Sequence, residues 1–218
     1  MTNTPHKPFR VFATTTLIAL FNVAWAGPSD SPLKLLQTDW AQAMYKNTGL
    51  SKEKRLEALS EQANAAAKTN PNDAEILIWQ GIVLGSHAGA KGGLGALSIV
   101  KEAKASFEKA ISINPKALDG SAYTSLGSLY YQVPGWPLGF GDDQKAEVFL
   151  KKGLSINPNG IDPNYFYGDF LFRQGRYIES ENVLLHAMDA PNRPNRELAD
   201  EGRRSEIQTL LNKVRAKK

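Results

Sequence analysis

Side chains of the types that carry out catalysis are sparse and scattered in this sequence. The chain has no cysteine, which excludes thiolate nucleophiles, disulfide bonds and sulfur-ligated zinc. Beyond the N-terminal segment the histidines are His87 and His186, which are far apart and lack the H-E-x-x-H spacing of a metal site. Asp142 and Asp143 could act as paired carboxylates or bind a cation, but their place before a helical pattern favours N-capping. We therefore predict no metal site, no cofactor and no enzymatic activity.

The glycine-rich stretch from Gly85 to Gly95 invites comparison with a phosphate-binding loop. It does not match one, because Lys91 follows Ala90 rather than a glycine and neither Ser nor Thr comes directly after it. The glycines instead predict a tight turn between two helices or a mobile flap.

Aromatic residues are the remaining candidates for a functional site. Trp136 and Phe140 lie in the sequence QVPGWPLGFG, where prolines and glycines exclude a helix. Exposed aromatic side chains are typical of binding surfaces. The same two side chains could instead fold back over the helix ends as a plug, and the sequence leaves both alternatives open.

The elements that would position these residues form a repeat. An Asn-Pro pair ends an amphipathic pattern at Pro71, Pro115 and Pro158, which are 44 and 43 residues apart. Proline cannot continue the helix that precedes it, so a recurring terminator indicates a helical repeat array.

The spacing within one unit resembles the tetratricopeptide repeat. Tyr123-x2-Leu126-Gly127-x2-Tyr130 follows the pattern of its first helix, and Ala146-x3-Leu150 follows that of its second. The resemblance implies an all-α fold, a tetratricopeptide-like α-solenoid of antiparallel helix pairs with a C-terminal capping helix. The predicted helix pairs span about 33–70, 73–114, 119–157 and 162–190, and the capping helix about 194–216, in one domain over 33–218. Two inter-helix turns, after Gly81 and after Tyr131, are predicted to be expanded.

In this repeat class the first helices line a concave groove, and that groove is the predicted binding site. Tyr165, Asp169 and Phe172 follow i, i+4, i+7 spacing and so share one helix face. The predicted protein- or ligand-binding residues are Ile78, Ile82, Thr124, Ser128, Tyr131, Trp136, Phe140, Tyr165, Asp169, Phe172 and Arg173.

The C-terminal helix is predicted to pack Ile207, Leu211 and Val214 against the preceding pair while its basic residues face outward. The outward set is Arg203, Arg204, Lys213 and Arg215. A basic helix lying on a membrane surface is the alternative, but interspersed Asp and Glu residues weaken it.

The N-terminal residues have the features of a signal peptide. Lys7 and Arg10 precede the apolar run Val11–Val23, and Ala24-Trp25-Ala26 offers a cleavage site. We predict a cleaved signal over residues 1–26, a disordered leader over 27–32, and a periplasmic protein that does not span the membrane. Removing the signal leaves 24 basic and 22 acidic residues, which gives no argument for a nucleic-acid partner.

The segment YYQVPGWPLGFGDDQKAEVFLKKGLSINP, followed by DPNYFYGDFLF, resembles the T component of TRAP-type periplasmic transport systems. The resemblance covers roughly Ala74 to Met188. It implies a solenoid, able to form oligomers, that binds the solute-capturing subunit of a transporter and holds an apolar ligand in a cleft. Family members are often lipoproteins, whereas this chain has no cysteine for a lipid anchor.

Two functions therefore remain as hypotheses. The first is a scaffold that binds a protein partner, such as a periplasmic solute-binding subunit, in its concave groove. The second is a periplasmic carrier of a small apolar or amphiphilic ligand. A homo-oligomer is compatible with either function.

Overall fold

The computed structural model describes Met1 and residues 31–217, which are helical and contain no β-strand. The α-helices in chain order are α1 (Pro32–Tyr45), α2 (Gly49–Thr69), α3 (Ala74–Lys91), α4 (Ala96–Ile113), α5 (Ser121–Gln132), α6 (Asp143–Ile156), α7 (Ile161–Arg173), α8 (Tyr177–Met188) and α9 (Glu197–Arg215). A short 3₁₀ helix, Ala117–Gly120, precedes α5. Helices α1 to α8 form four consecutive pairs and α9 follows them, so the predicted all-α solenoid is confirmed.

Glycines set the close approach of the two helices within a pair. A Cβ atom added at Gly127 would lie 2.8 Å from Cγ of Leu150, and one at Gly168 would lie 2.7 Å from Cγ of Leu184. Both leucines are completely buried. A methyl group at either glycine would therefore push the paired helices apart.

Helices α3 and α6 each start at a capping aspartate. The side chain of Asp73 accepts hydrogen bonds from the backbone N–H groups of Glu75 and Ile76, at 2.9 and 3.2 Å. Asp142 accepts one from the N–H of Lys145 at 3.0 Å, as predicted for a capping residue.

The predicted signal peptide and most of the predicted leader lie outside the described residues. At the end of that leader, Ser31 is the N-cap of α1, and its side chain accepts a hydrogen bond from the N–H of Lys34. Pro32 is the first residue of the helix. The prediction of disorder is therefore wrong for Ser31 and Pro32, because serine at N-cap followed by proline at N1 is a helix start.

The glycine-rich stretch is mostly helical, so the predicted expansion of this turn and the flap alternative are wrong, whereas the tight-turn alternative holds for residues 92–95. Helix α3 continues through Gly85 and Gly89 to Lys91, and α4 begins at Ala96. Only residues 92–95 form the turn, with positive φ angles of 65° at Gly92 and 61° at Gly93. The extra residues of this unit lengthen its helices rather than the loop.

Among the described residues, no helix is both long and apolar enough to cross a bilayer.

Candidate functional site

Helix α9 closes the solenoid by returning to its first helices. It packs on α7 and α8, as predicted, but it also packs against α1. Ala199 is buried in a cluster with Trp40 and Trp79. The approach to α1 is close, since a Cβ atom at Gly202 would lie 2.5 Å from Cγ of Tyr45. The concave side is therefore bounded by helices from both ends of the array.

This closure encloses a large, partly open cavity of about 1300 Å³. Residues of α1, α3, α5, α7 and α9 line it, together with the start of α2 and the linker that precedes α9. The cavity thus occupies the position of the predicted groove, with α9 as an additional wall.

The wall formed by α1 and α3 is apolar and partly aromatic. Trp40, Met44, Trp79 and Ile82 line it. The ring centroids of the two tryptophans are 5.7 Å apart in an edge-to-face arrangement. The indole N–H of Trp40 donates to the Ser86 hydroxyl at 2.8 Å. Both rings are buried and fixed in place, so they form a rigid base for this wall.

Small side chains on α3 and α5 leave space beside this wall. Gly85, Gly89, Ser125 and Ser128 all line the cavity. A Cβ atom added at Gly89 would meet no atom within 4 Å. An occupant could therefore approach the helix backbones closely.

The opposite wall carries a network of buried charges around Arg203. Its Nε donates to Asp162 at 2.7 Å, and Nη1 donates to Glu206. Its guanidinium lies 4.3 Å from the ring centroid of Tyr165 and 4.8 Å from that of Phe166. The prediction that Arg203 faces outward is therefore wrong. The residue is 7% exposed because α9 turns this face toward α7 rather than toward solvent.

A second arginine completes the network from the linker. Arg193 Nη1 pairs with Asp162, and its Nη2 pairs with Asp200 at 2.6 Å. Burial alone would raise the pKa of Asp162, but Arg203 and Arg193 outweigh it and hold that pKa well below its usual range. Burial also raises the pKa of Tyr165 to about 12. Asp162 is therefore ionised and Tyr165 neutral at physiological pH.

Two buried polar atoms beside the network have no hydrogen-bond partner among the described residues. They are the Tyr45 hydroxyl and the Arg196 Nε. The Arg196 guanidinium lies 4.8 Å from the Trp79 ring centroid, and burial lowers its pKa. This arginine lines the cavity without an ion pair to any described carboxylate. Its Nε is a buried donor that no described residue satisfies.

At the other end of α7, Asp169 joins α5 to α7. It accepts hydrogen bonds from the Tyr131 hydroxyl at 2.9 Å and from Arg173 Nε at 3.1 Å. The Arg173 guanidinium also lies 5.2 Å from the Tyr131 ring centroid. The pair Asp169 and Arg173 lines the cavity, with Tyr131 behind it.

The structure brings together only part of the predicted site. The predicted residues that line the cavity are Ile82, Thr124, Ser128, Tyr165, Asp169 and Arg173. Ile78 is completely buried in the core, so its predicted groove-facing position is wrong. Phe172 packs against Tyr177 in a second core cluster, also away from the cavity. Both predictions fail because the spacing within a helix does not determine which of its faces lies on the concave side.

The aromatic insertion lies away from the cavity, and its two aromatic residues behave differently. Phe140 packs edge-to-face on Tyr130, with ring centroids 5.6 Å apart, so it takes the plug alternative. Trp136 is 90% exposed. The loop itself is compact, since the N–H of Gly141 donates to the carbonyl of Pro134 at 2.9 Å.

Sequence reasoning missed the residues contributed by α9 and the linker. Arg203 is predicted above to face solvent, and Arg193, Arg196 and Trp40 are given no part in the site. The signal that could have found them is the run of arginines after Pro191, with Asp200 placed to pair with them. Nothing in the repeat spacing indicates that α9 reaches α1.

The remaining candidates for chemistry are structural. His87 is buried, with Nδ1 3.2 Å from the Ser60 hydroxyl, and burial lowers its pKa. No group of three or more metal-ligating side chains occurs among residues 31–217.

Comparison with known proteins gives a local family match. Residues 100–117, at the end of the second helix pair, match the tetratricopeptide repeat family model. Among curated proteins no match is found. A solved structure of MamA is 18% identical with a TM-score of 0.43, covering 78% of this chain and 95% of that one. A thermophilic tetratricopeptide protein of Thermus thermophilus is 17% identical with a TM-score of 0.42, covering 82% and 97%. The family match makes residues 100–117 similar to a tetratricopeptide repeat, a type of repeat that generally mediates protein–protein interaction.

Proposed function

We propose that the chain is a non-enzymatic scaffold that holds a segment of a partner protein in the cavity closed by α9. The observation that carries this proposal is the cavity itself. Its volume of about 1300 Å³ exceeds the roughly 300–1000 Å³ typical of small-molecule sites. A peptide segment fills such a space better than a metabolite does.

The enclosure limits the form of the partner. Because α9 lies across the concave side, a folded domain cannot reach Trp79 or Ile82 at its floor. A single extended or helical segment could do so, since Gly85 and Gly89 leave room along α3. Apolar side chains would lie on the tryptophan wall, and polar groups would meet Arg196 and Arg173.

As the setting of this interaction, we propose the periplasm, with the partner being the solute-binding subunit of a TRAP-type transporter. The support is the signal-like N-terminal sequence and the resemblance of residues 130–172 to the T component. Mixing the purified chain with such a subunit and measuring binding by calorimetry tests this partner directly.

The cavity can be blocked by one substitution that the fold tolerates. Gly89→Phe projects a ring into open space from the last turn of α3, so it should abolish partner capture in a pull-down from periplasmic extract. Ala105→Phe is the matched control, since Ala105 is exposed on α4 and outside the cavity lining. Equal capture by both variants would contradict the cavity as the binding site.

A carrier of an amphiphilic small molecule is the second candidate function. The observation that favours it is an unpaired cation, Arg196, stacked on the apolar wall at Trp79. Native mass spectrometry of the purified protein separates the two functions. A bound small molecule that is absent from Gly89→Phe supports the carrier, whereas a retained protein partner supports the scaffold.

A further inference from the structure

Large apolar side chains are exposed along one edge of the solenoid. In an array of antiparallel pairs, the turns within the pairs lie at the same end of the molecule, here called the turn edge. Each of the four turns there carries at least one large apolar residue that is between 61% and 90% exposed. These residues are Leu50, Leu94, Trp136, Leu138 and Ile178. The opposite edge carries Leu35 and Ile113, which are only 48% and 40% exposed, and Leu185 within α8 is 41% exposed.

The turn edge is also basic, whereas the opposite edge is acidic. The C-terminal end of α9 belongs to the turn edge, because Arg215 Nε donates to Glu181, near the start of α8, at 2.8 Å. The turn edge comprises residues 46–54, 90–97, 132–145, 173–181 and 213–217, which hold ten Lys or Arg and five Asp or Glu. The opposite edge comprises residues 31–36, 70–76, 113–121, 157–163 and 188–199, which hold four Lys or Arg and six Asp or Glu.

The carboxylates of the turn edge are largely neutralised within the fold. Asp142 pairs with Lys145, Glu179 with Arg176 and Glu181 with Arg215. By contrast, four lysines near the first two turns make no ion pair with the described residues. They are Lys46, Lys52, Lys54 and Lys91. The available charge at this edge is therefore positive.

We propose that the turn edge is a peripheral contact surface for membranes that contain anionic lipids. A protein interface requires a contiguous, well-packed apolar centre. Here the apolar side chains instead come singly from successive turns, separated by glycine, proline and lysine. The headgroup region of a bilayer accepts such separate side chains, and tryptophan is enriched there. Unpaired lysines beside them are attracted to anionic headgroups.

Membrane contact at the turn edge does not depend on what the cavity holds, but it would orient the cavity relative to the bilayer. Leu50, Lys52 and Arg173 belong both to the turn edge and to the cavity lining. One mouth of the cavity would therefore face the membrane, while the acidic edge would face away from it.

The first test measures whether Trp136 enters the bilayer. The vesicles contain phosphatidylcholine and phosphatidylglycerol in equal amounts, with brominated acyl chains. Bromine quenches the fluorescence of a tryptophan that contacts these chains. Subtracting the fluorescence of Trp136→Phe from that of the full chain gives the contribution of Trp136. This contribution should be quenched in these vesicles. Quenching should be weaker in pure phosphatidylcholine and should fall with added salt.

A tryptophan at the opposite edge is the matched control. Ile113→Trp, made in the Trp136→Phe chain, introduces a tryptophan at an exposed position of that edge. The fluorescence of this tryptophan should not be quenched. This comparison holds even if the apolar N-terminal run tethers the chain, because both proteins contain that run. Equal quenching at the two edges, or none at either, would overturn the proposal.

The second test measures binding strength and excludes self-association. The triple variant of Leu94, Leu138 and Ile178 to serine should bind anionic vesicles about ten-fold more weakly than the native chain. The triple variant of Leu35, Ile113 and Leu185 to serine should bind as the native chain does. Light scattering that shows a dimer dissociated by Trp136→Ser, with no vesicle binding, would assign the edge to a second copy of the chain and overturn the proposal.

Discussion

Replacing Arg203 by methionine should destabilise the fold by about 3 kcal/mol. Breaking a buried ion pair costs about 3–5 kcal/mol, and losing a cation–π contact costs roughly 0.5–2 kcal/mol more. Two features reduce the sum. Asp162 keeps its pairing with Arg193, and Glu206 is exposed enough to recover part of its hydration. Methionine preserves most of the apolar side-chain volume, so the measured loss reports mainly the charge network.

Urea unfolding followed by circular dichroism measures this loss. With a slope of about 2 kcal/mol/M, the unfolding midpoint of Arg203→Met should fall by about 1.5 M. Arg215→Met is the control on the same helix, because Arg215 is half exposed and pairs only with Glu181. A surface pair contributes about 0–1 kcal/mol, so its midpoint should fall by less than about 0.5 M. Equal shifts for the two variants would refute the buried position of Arg203.

Three further substitutions test other parts of the structure. Gly89→Ala should stabilise the fold by about 0.5–1 kcal/mol, since its methyl group meets open space. Gly202→Ala should destabilise the fold by about 1–2 kcal/mol, because its methyl group collides with Tyr45. Thermal melts that show the same sign of change for both variants would contradict the closure by α9. Asp162→Asn should be less stable at pH 7 but should lose less stability on acidification. The reason is that the pKa of Asp162 in the folded state lies below its unfolded value of about 3.9. Its contribution to stability is therefore present above that pH and is lost as the pH falls toward the folded pKa. An equal loss of stability in the native chain and the variant between about pH 4 and pH 2 would count against this pairing. Trp136→Ser should change the unfolding free energy by less than about 0.5 kcal/mol, and a larger change in urea titration would mean that the ring packs on the fold.

The helix pairs could be predicted because their determinants are local. An Asn-Pro pair ends a helix whatever the rest of the fold does. Gly127 and Gly168 are needed because the two helices of a pair come into close contact at these positions. The capping by Asp142 was predictable for the same reason. The extent of α3 was not, because Gly85 and Gly89 have low helix propensity, so the sequence predicts a turn where the helix in fact continues to Lys91.

The site was predicted only in part because it depends on contacts distant in sequence. Tyr165 and Asp169 line the cavity, but Phe172 of the same i, i+4, i+7 set does not, and neither does Ile78. Helical spacing fixes a face only relative to its own helix, so it cannot say which face is concave. The position of Arg203 depends on where α9 lies relative to α7 and α1, which no repeat period encodes.

The contact between α9 and α1 also changes how the chain should unfold. In an open solenoid each repeat touches only its neighbours, so stability is a sum of local terms and the ends fray independently. Here the burial of Ala199 beside Trp40 and Trp79 couples the last helix to the first two pairs. Removing α9 should therefore weaken α1 as well as α8, and hydrogen exchange should rise in both helices. Helices α1 and α9 belong to one cooperative unit, whose folding must wait for a contact between residues distant in sequence.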